Sequence, residues 1–287
     1  MGQQARFLGN FLMTDREALR STPQPRPRFR LDRSLLVRLF GPRAALVHGD
    51  MMMLDRWGFV KSVMPRTGNG EAAFDVGCGT GAFSLNLAER GYDVVGLSWD
   101  RRNQAVAEER AAICGLSGNV SFPIGDAREL DRHEQYKNRF EYVVSLENIE
   151  HLIDDRKLMR DLAACLKPGG WLVLSTPNQT YHAVTPSDNG PFSKFEDGWH
   201  LRRGYSEQML RELAELSGLR VEVIGYCSGW FAQKLTWIVR QWGKAGYAVT
   251  FPLRVLPLLF DPLISRIFRY RAFSITMLAY KPRFDAS

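Results

Sequence analysis

One short segment most strongly constrains how this chain can fold. The run Asp75-Val76-Gly77-Cys78-Gly79-Thr80-Gly81 follows the apolar Ala72-Ala73-Phe74 and precedes the periodic apolar residues 83–88. This order predicts a strand, a glycine-rich turn and the start of a helix. Glycine takes positive φ and leaves the main chain bare, so a ligand can lie directly against the backbone. The segment therefore predicts an α/β fold that holds a ligand at its first crossover.

The glycine spacing and the acid that precedes it indicate which ligand is held. Dinucleotide folds use Gly-x-Gly-x-x-Gly and place a pyrophosphate at the helix N-terminus. Here the spacing is Gly-x-Gly-x-Gly, and the charge of Asp75 disfavours a pyrophosphate but favours an ammonium or sulfonium group. This motif resembles the first motif of the class I S-adenosylmethionine-dependent methyltransferases. The resemblance implies S-adenosyl-L-methionine as the cofactor, with contacts from Asp75, Gly77, Cys78, Gly79 and Gly81.

A second group of cofactor contacts is expected at the end of the second predicted strand, Tyr92–Ser98. A doubly wound fold places an acid that binds ribose about twenty residues beyond the glycines. Ser98, Trp99 and Asp100 lie there, although the family usually has the acid at the position of Ser98. Either Ser98 and Asp100 bind the two ribose hydroxyls, or Asp100 caps the helix that starts at Arg101.

A third strand is predicted over Val120–Ile124, and Gly125-Asp126-Ala127 follows it. By resemblance, Asp126 accepts a hydrogen bond from the adenine amino group, and Ala127 offers its backbone amide. The alternative is an ordinary aspartate in a turn.

Four further strands complete the predicted sheet. They are expected at Phe140–Leu146, within 166–178, where a helix end and a Lys-Pro-Gly-Gly turn at 167–170 precede the strand, at Leu219–Tyr226 and at Ala272–Lys281. Since these motifs arrive in the family's order, we expect a Rossmann-like seven-stranded class I methyltransferase sheet whose last strand is antiparallel. The expected units are an N-terminal arm and helical cap (1–65), the core (66–228 plus 272–284), and an apolar helical insertion (229–271). The insertion is interpreted as a lid, a dimer face or a membrane interface.

Three hypotheses compete for the segment Glu147-Asn148-Ile149-Glu150-His151. On a helix, Glu147, Glu150 and His151 share one face and could bind a divalent metal, as the similar segment of ubiquinone-biosynthesis O-methyltransferases implies. Alternatively, His151 is a general base that takes a proton from a substrate hydroxyl. In the third interpretation Glu147 lies beside the methionine end of the cofactor, and the other two residues support the loop. The metal is not the favoured interpretation.

His200 is the second candidate base. It follows a long loop, 181–200, that is rich in Pro, Gly, Ser and Asp, and it precedes a helix that Ser206 is expected to cap. The stretch resembles a His-x-Arg-x-x-Ser segment near the acceptor site of such methyltransferases. The alternative is a surface histidine that stacks on Trp199.

Composition narrows the possible partners and compartment. The net charge of +7 includes a cluster at Arg26, Arg28, Arg30 and Arg33 but no basic-aromatic repeat, so a nucleic-acid partner is not expected. Four cysteines without paired spacing indicate a reducing cytoplasm. Because no window is expected to reach transmembrane length, membrane association would be peripheral.

The predicted function is therefore O-methylation of a small, largely apolar or lipid-like metabolite by in-line methyl transfer. One alternative is C- or N-methylation of a lipid, isoprenoid or natural product, because Gly96-Leu97-Ser98-Trp99 is also similar to cyclopropane-fatty-acid synthases. An NAD-dependent oxidoreductase and a cofactor-binding protein without transferase activity are the alternatives from other classes. A homodimer is also possible.

Overall fold

The sheet of this protein has the predicted number of strands. The structure, a computed structural model, describes Gly41 and residues 51–283; the rest of the predicted arm and cap, before residue 51, lies outside the described residues. The strands are β1 (Ala72–Val76), β2 (Asp93–Leu97), β3 (Val120–Ser121), β4 (Phe140–Leu146), β5 (Leu166–Pro177), β6 (Arg220–Cys227) and β7 (Ser274–Tyr280). The helices are α1 (Met51–Val63), α2 (Ala82–Glu89), α3 (Arg101–Cys114), α4 (Asp155–Cys165), α5 (Glu207–Leu216), α6 (Trp230–Thr250) and α7 (Val255–Ile267).

The strand order confirms the predicted fold class. In the sheet the strands lie in the order β3-β2-β1-β4-β5-β7-β6, and β7 is antiparallel to both of its neighbours. The other pairings, from β3 to β5, are parallel. The order reverses between β1 and β4, and open α/β sheets bind ligands at that switch point, beyond the carboxyl ends of the strands.

Alternate residues of the strands pack against opposite layers of helices. Val143 and Leu172 belong to a core cluster with residues of α4 and α5, whereas Val144 and Val173 belong to one with residues of α1 and α2. Both faces of the central strands are therefore buried, as near-continuous apolar runs predict. Trp57 of α1 is part of the second cluster, so core packing explains its burial.

Two strands differ from the sequence prediction. The third strand has only two residues, and Ile124 joins the sheet by an isolated bridge to Ser98. The predicted tight turn at Lys167–Gly170 is an irregularity within β5, because Gly169 has φ 85° and the register with β4 shifts between Phe140 and Tyr142. Both differences come from backbone irregularities that local apolar patterns do not reveal.

The predicted insertion is helical. It consists of α6, a 3-10 turn at Phe251–Arg254, and α7, and it separates the antiparallel strands β6 and β7. One stretch of it, Trp230–Ile267, has the length and apolar composition of a membrane-crossing helix, and only 17% of its most apolar window is buried. The expectation that no window reaches transmembrane length was therefore wrong.

Candidate functional site

The glycine loop joins β1 to α2 in the predicted strand–turn–helix order. Gly77, Gly79 and Gly81 have φ values of 82°, 53° and 76°. A β-carbon at Gly81 would lie 2.8 Å from the Ala107 side chain, whereas one at Gly79 would meet no atom within 4 Å. Gly81 thus lets the loop pack on α3, and Gly79 presents left-handed main chain to open space. This is the bare backbone that a ligand could contact.

Asp75 lies beneath this loop and is fully buried. Its carboxylate accepts a 2.6 Å hydrogen bond from the Ser84 hydroxyl of α2. Burial raises the pKa of Asp75 to about 6, and the hydrogen bond opposes that rise. The Asp75 carboxyl, directly before the glycine loop, is therefore connected to the first turn of α2.

Gln104 is a residue of the site that sequence reasoning missed. This buried side chain of α3 donates to the carbonyl oxygens of Gly96 (2.9 Å) and Pro123, and its own oxygen lies 3.4 Å from the Cys78 sulfur. It links the glycine loop to the ends of β2 and β3. The signal was a polar residue within the buried stripe Gln104, Ala107, Ala111 and Cys114.

The segment after β2 has the geometry of a helix cap. Asp100 is the N-cap of α3, and its side chain accepts a hydrogen bond from the Arg102 amide at 2.8 Å. Ser98 is buried and its hydroxyl lies 3.3 Å from the Asp100 amide, while Trp99 is 62% exposed. The capping alternative for Asp100 is thus observed. The ribose role of these residues stays a prediction.

Asp126 caps a turn as well. Its carboxylate accepts from the Arg128 amide at 2.9 Å and forms an ion pair with the Arg128 guanidinium. That guanidinium also contacts Glu196 of the long loop at 2.7 Å, and Glu196 accepts from the Ile153 amide at 2.8 Å. We call these contacts of Glu196 the loop latch. They hold the long loop across the turns that follow β3 and β4.

The segment after β4 does not form the helix on which the metal hypothesis depended. Glu147 has φ 52°, and only the single 3-10 turn Ile149–His151 follows it. Its carboxylate contacts Arg56 of α1 at 2.9 Å and accepts from the Ser175 hydroxyl at 2.9 Å. The shared helical face on which the metal hypothesis for Glu147, Glu150 and His151 depended is therefore not formed, because the left-handed backbone turns Glu147 away from the register of that turn.

A different group of three side chains comes together instead. Glu150, His151 and His200 offer ligand atoms that all lie within 4.8 Å of one another, and we call them the Glu–His–His cluster. Oε1 of Glu150 lies 3.8 Å from Nε2 of His151 and 4.0 Å from Nε2 of His200. Thr176 donates to the other carboxylate oxygen at 3.0 Å. The cluster unites the two candidate bases that are 49 positions apart in the sequence.

The electrostatics of the cluster favour a neutral imidazole. Burial and the nearby Glu147 charge raise the pKa of Glu150 well above its ordinary value. Burial and the neighbouring His151 lower the pKa of His200 to about 4. The two imidazole rings meet edge to face at 4.7 Å, so His200 packs on His151 rather than on Trp199. Near neutral pH His200 is therefore uncharged, and burial makes it a weaker proton acceptor than an exposed imidazole.

The cluster lies beside the glycine loop. Asn148, in the turn between β4 and Glu150, donates to the Val76 carbonyl at 3.4 Å. A β-carbon at Gly77 would lie 2.6 Å from the Asn148 side chain. The cluster therefore lies at the same end of the sheet as the glycine loop, and Glu150 is two residues beyond the side chain that covers Gly77.

The chain resembles proteins of one class. A family model described as a methyltransferase domain matches residues 59–223. A ubiquinone biosynthesis O-methyltransferase of Coxiella burnetii is 31% identical over 156 residues, which cover 53% of this chain and 64% of the relative. The corresponding protein of Marinobacter nauticus is 34% identical over 110 residues, which cover 38% of this chain and 45% of the relative. The matches thus span less than two thirds of these relatives.

Solved structures share the fold. A phosphoethanolamine N-methyltransferase 2 of Haemonchus contortus, in complex with S-adenosyl-L-methionine, matches with a TM-score of 0.59 and 21% identity, covering 88% of this chain and 59% of that one. The cyclase SpnF matches with a TM-score of 0.56 and 20% identity, covering 79% of this chain and 81% of that one. At these identities the likeness is one of fold, and it includes proteins with different reactions.

Proposed function

The chain belongs to the methyltransferase-domain family, and from this membership we propose that it catalyses O-methylation of a small, largely apolar metabolite. The predicted methyltransferase class is confirmed by the family match and by the methyltransferases among the curated relatives, and S-adenosylmethionine is the cofactor that this class implies. The NAD-dependent oxidoreductase is not supported, because the Gly-x-Gly-x-Gly spacing and the family match both indicate a methyltransferase. The type of bond formed and the acceptor are the proposed part.

The observation that carries the proposal is the position of the Glu–His–His cluster next to the glycine loop. Methyl transfer from a sulfonium is an in-line displacement, and its thioether leaving group needs no acid. The protein must align the acceptor and, for a hydroxyl, remove its proton. His200 is a candidate for that task because of its position in the cluster; its imidazole is unprotonated near pH 7, although the lowered pKa makes it a weaker base than a free imidazole. A hydroxyl acceptor is therefore favoured over a carbon acceptor, which would need stronger activation.

The reaction is tested with single alanine variants and a radiolabelled methyl donor. With a phenolic acceptor, His200→Ala is expected to lower kcat by about 100-fold or more, the usual contribution of a general base. His151→Ala is expected to lower it less, because that ring packs on the base. His133→Ala is the control, since this ring packs against Tyr136 away from the cluster. Unchanged kcat in both cluster variants would contradict the base assignment.

A divalent metal is the second candidate use of the cluster. Oε1 of Glu150 and Nδ1 of His151 are buried and have no hydrogen-bond partner among residues 51–283. Carboxylate and imidazole groups are common metal ligands, and a bound cation would satisfy the Glu150 oxygen. Glu150, His151 and His200 would then hold the metal, which would supply Lewis acidity for a substrate hydroxyl.

The same assay separates the base from the metal. If a metal is required, a strong chelator abolishes methyl transfer and an added divalent cation restores it. Activity that survives the chelator would remove the metal and leave His200 as the direct base. Elemental analysis of the purified protein provides a readout that does not depend on activity.

The proposal also covers the acceptor and the residues that bind the cofactor. A small-molecule acceptor agrees with the family, and its lipid-like character is proposed from the exposed apolar insertion. Asp75, Gly77, Gly79, Gly81 and Cys78 are proposed as the cofactor cradle. Peripheral membrane contact, a cytoplasmic location and a homodimer stay predictions.

A further inference from the structure

The outward face of α7 is apolar, which reverses the usual pattern of a surface helix. Six large apolar side chains of this helix are exposed: Val255, Leu258, Leu259, Phe260, Leu263 and Ile267. The buried positions of the helix include Asp261, whose carboxylate accepts hydrogen bonds from the Phe231 and Ala232 amides at 2.6 and 3.0 Å. A helix on a globular surface normally turns its polar side to water. We call these six side chains the apolar face.

The insertion is folded back on itself. Gly243 has φ 54° and ψ −125°, which is not helical. A β-carbon at Gly246 would lie 2.5 Å from the Ile238 carbonyl oxygen, although a straight helix separates residues eight apart by about 12 Å. The chain therefore reverses direction at Gly243. Along the run after this reversal, Gly246, Thr250, Pro257 and Asp261 are buried against the rest of the protein, so α7 offers lipid only one apolar face, which suits the surface of a membrane better than a crossing.

The charged side chains around the apolar face are all basic, apart from one buried acid. Between positions 230 and 271 the chain has seven basic residues and one acid, and that acid is the buried Asp261. Arg266, Arg269 and Arg271, at and beyond the end of α7, are all exposed. A two-fold contact between copies places the same patch against itself, so it would bring these like charges together. Anionic lipid headgroups would neutralise them, while the apolar side chains enter the acyl boundary.

We propose that the apolar face and its arginines dock this protein on the surface of an anionic membrane. Apolar burial and headgroup attraction act together there, and the strength of peripheral binding increases with both. Docking itself does not depend on the reaction. The use of docking, to admit a lipid-like acceptor, rests on the proposed function.

The insertion connects this surface to the site. Arg240 of α6 contacts Asp188 of the long loop at 2.9 Å, and Tyr270 stacks on His182 of that loop at 4.5 Å. Tyr247 lies close enough to interact electrostatically with Arg110, which donates to Thr80 of the glycine loop at 2.7 Å. The insertion thus borders the same end of the sheet as the cofactor loop. A docked molecule would hold its site near the lipid surface.

Vesicle sedimentation of the full chain tests the docking. We expect binding to phosphatidylglycerol vesicles, weaker binding to phosphatidylcholine vesicles, and release by high salt. The double variant Leu259→Glu with Leu263→Glu should lose binding, and Arg266→Gln with Arg269→Gln should weaken it roughly tenfold or more. The controls are Leu216→Glu, an exposed leucine of α5, and Arg101→Gln with Arg102→Gln, exposed on α3. Both should bind as the wild type does.

Several results would overturn the proposal. They are no sedimentation of the wild type with anionic vesicles, or equal losses in the control variants. A wild-type dimer that becomes a monomer in Leu259→Glu with Leu263→Glu, without any vesicle binding, would assign the face to a second copy. Since no methyl donor or acceptor is present, failure here leaves the proposed reaction standing, and failure of the reaction leaves docking standing.

Discussion

At the scale of single residues, Asp75 is the clearest case of a conflict between burial and charge. The folded carboxyl has its pKa raised to about 6, whereas an unfolded aspartate titrates near its ordinary value of 3.8. The folded state therefore binds the proton more tightly. The stabilisation that the Asp75 carboxyl gives the folded state is complete below the unfolded pKa, and it is lost as the pH rises through about 6.

Asp75→Asn should remove this pH dependence. Relative to the variant, the wild type is expected to lose about 2 kcal/mol of unfolding free energy between pH 4 and pH 7, because one pKa unit is worth about 1.4 kcal/mol and part of the difference is already lost by pH 4. Urea unfolding at several pH values measures the difference. Asp93→Asn, at an exposed position of β2, is the control. Parallel curves for the wild type and Asp75→Asn would contradict the assignment of a buried, protonatable carboxyl.

At the scale of elements, the loop latch decides how the long loop is held. Glu196 receives a guanidinium from one turn and a backbone amide from another, and both partners follow strands that end at the site. His200 lies four residues beyond Glu196, so the latch helps to position the proposed base. Partial burial of Arg128 and Glu196 makes this pair stronger than an exposed one.

Glu196→Gln should loosen the loop without unfolding the protein. Faster hydrogen exchange is expected over residues 181–200, together with a lower kcat, because the base is held less firmly. Glu129→Gln is the matched control, since it breaks the exposed pair with Arg132 at 2.9 Å. If exchange over 181–200 is the same in both variants, the latch has no positioning role.

The elements also show what the sequence could predict. Strand β4 begins and ends where its apolar pattern predicts, Ser206 caps α5, and the motifs after β1 to β3 fall at the carboxyl end of the sheet. The Glu–His–His cluster was only half predicted. The positive φ of Glu147 breaks the helical spacing, and the contact with His200 depends on a loop of irregular backbone, which no periodicity encodes.

At the scale of the whole molecule, the parts form two faces with different tasks. The carboxyl end of the sheet holds the glycine loop and the proposed base, and the insertion adds a basic and apolar surface beside them. Both rely on the central sheet, which is buried on its two sides and supplies a rigid frame. The cofactor cradle is the claim on which the rest of the chemistry depends.

Calorimetric titration with S-adenosylhomocysteine tests that claim most directly. The wild type should release or absorb heat with one binding site, and NAD should give none. Gly79→Ala should weaken binding about tenfold or more, because a β-carbon enters the ligand side of a left-handed backbone, whereas Gly118→Ala has open space and no positive φ and should bind normally. Heat of binding with NAD alone, or with neither molecule, would contradict the account.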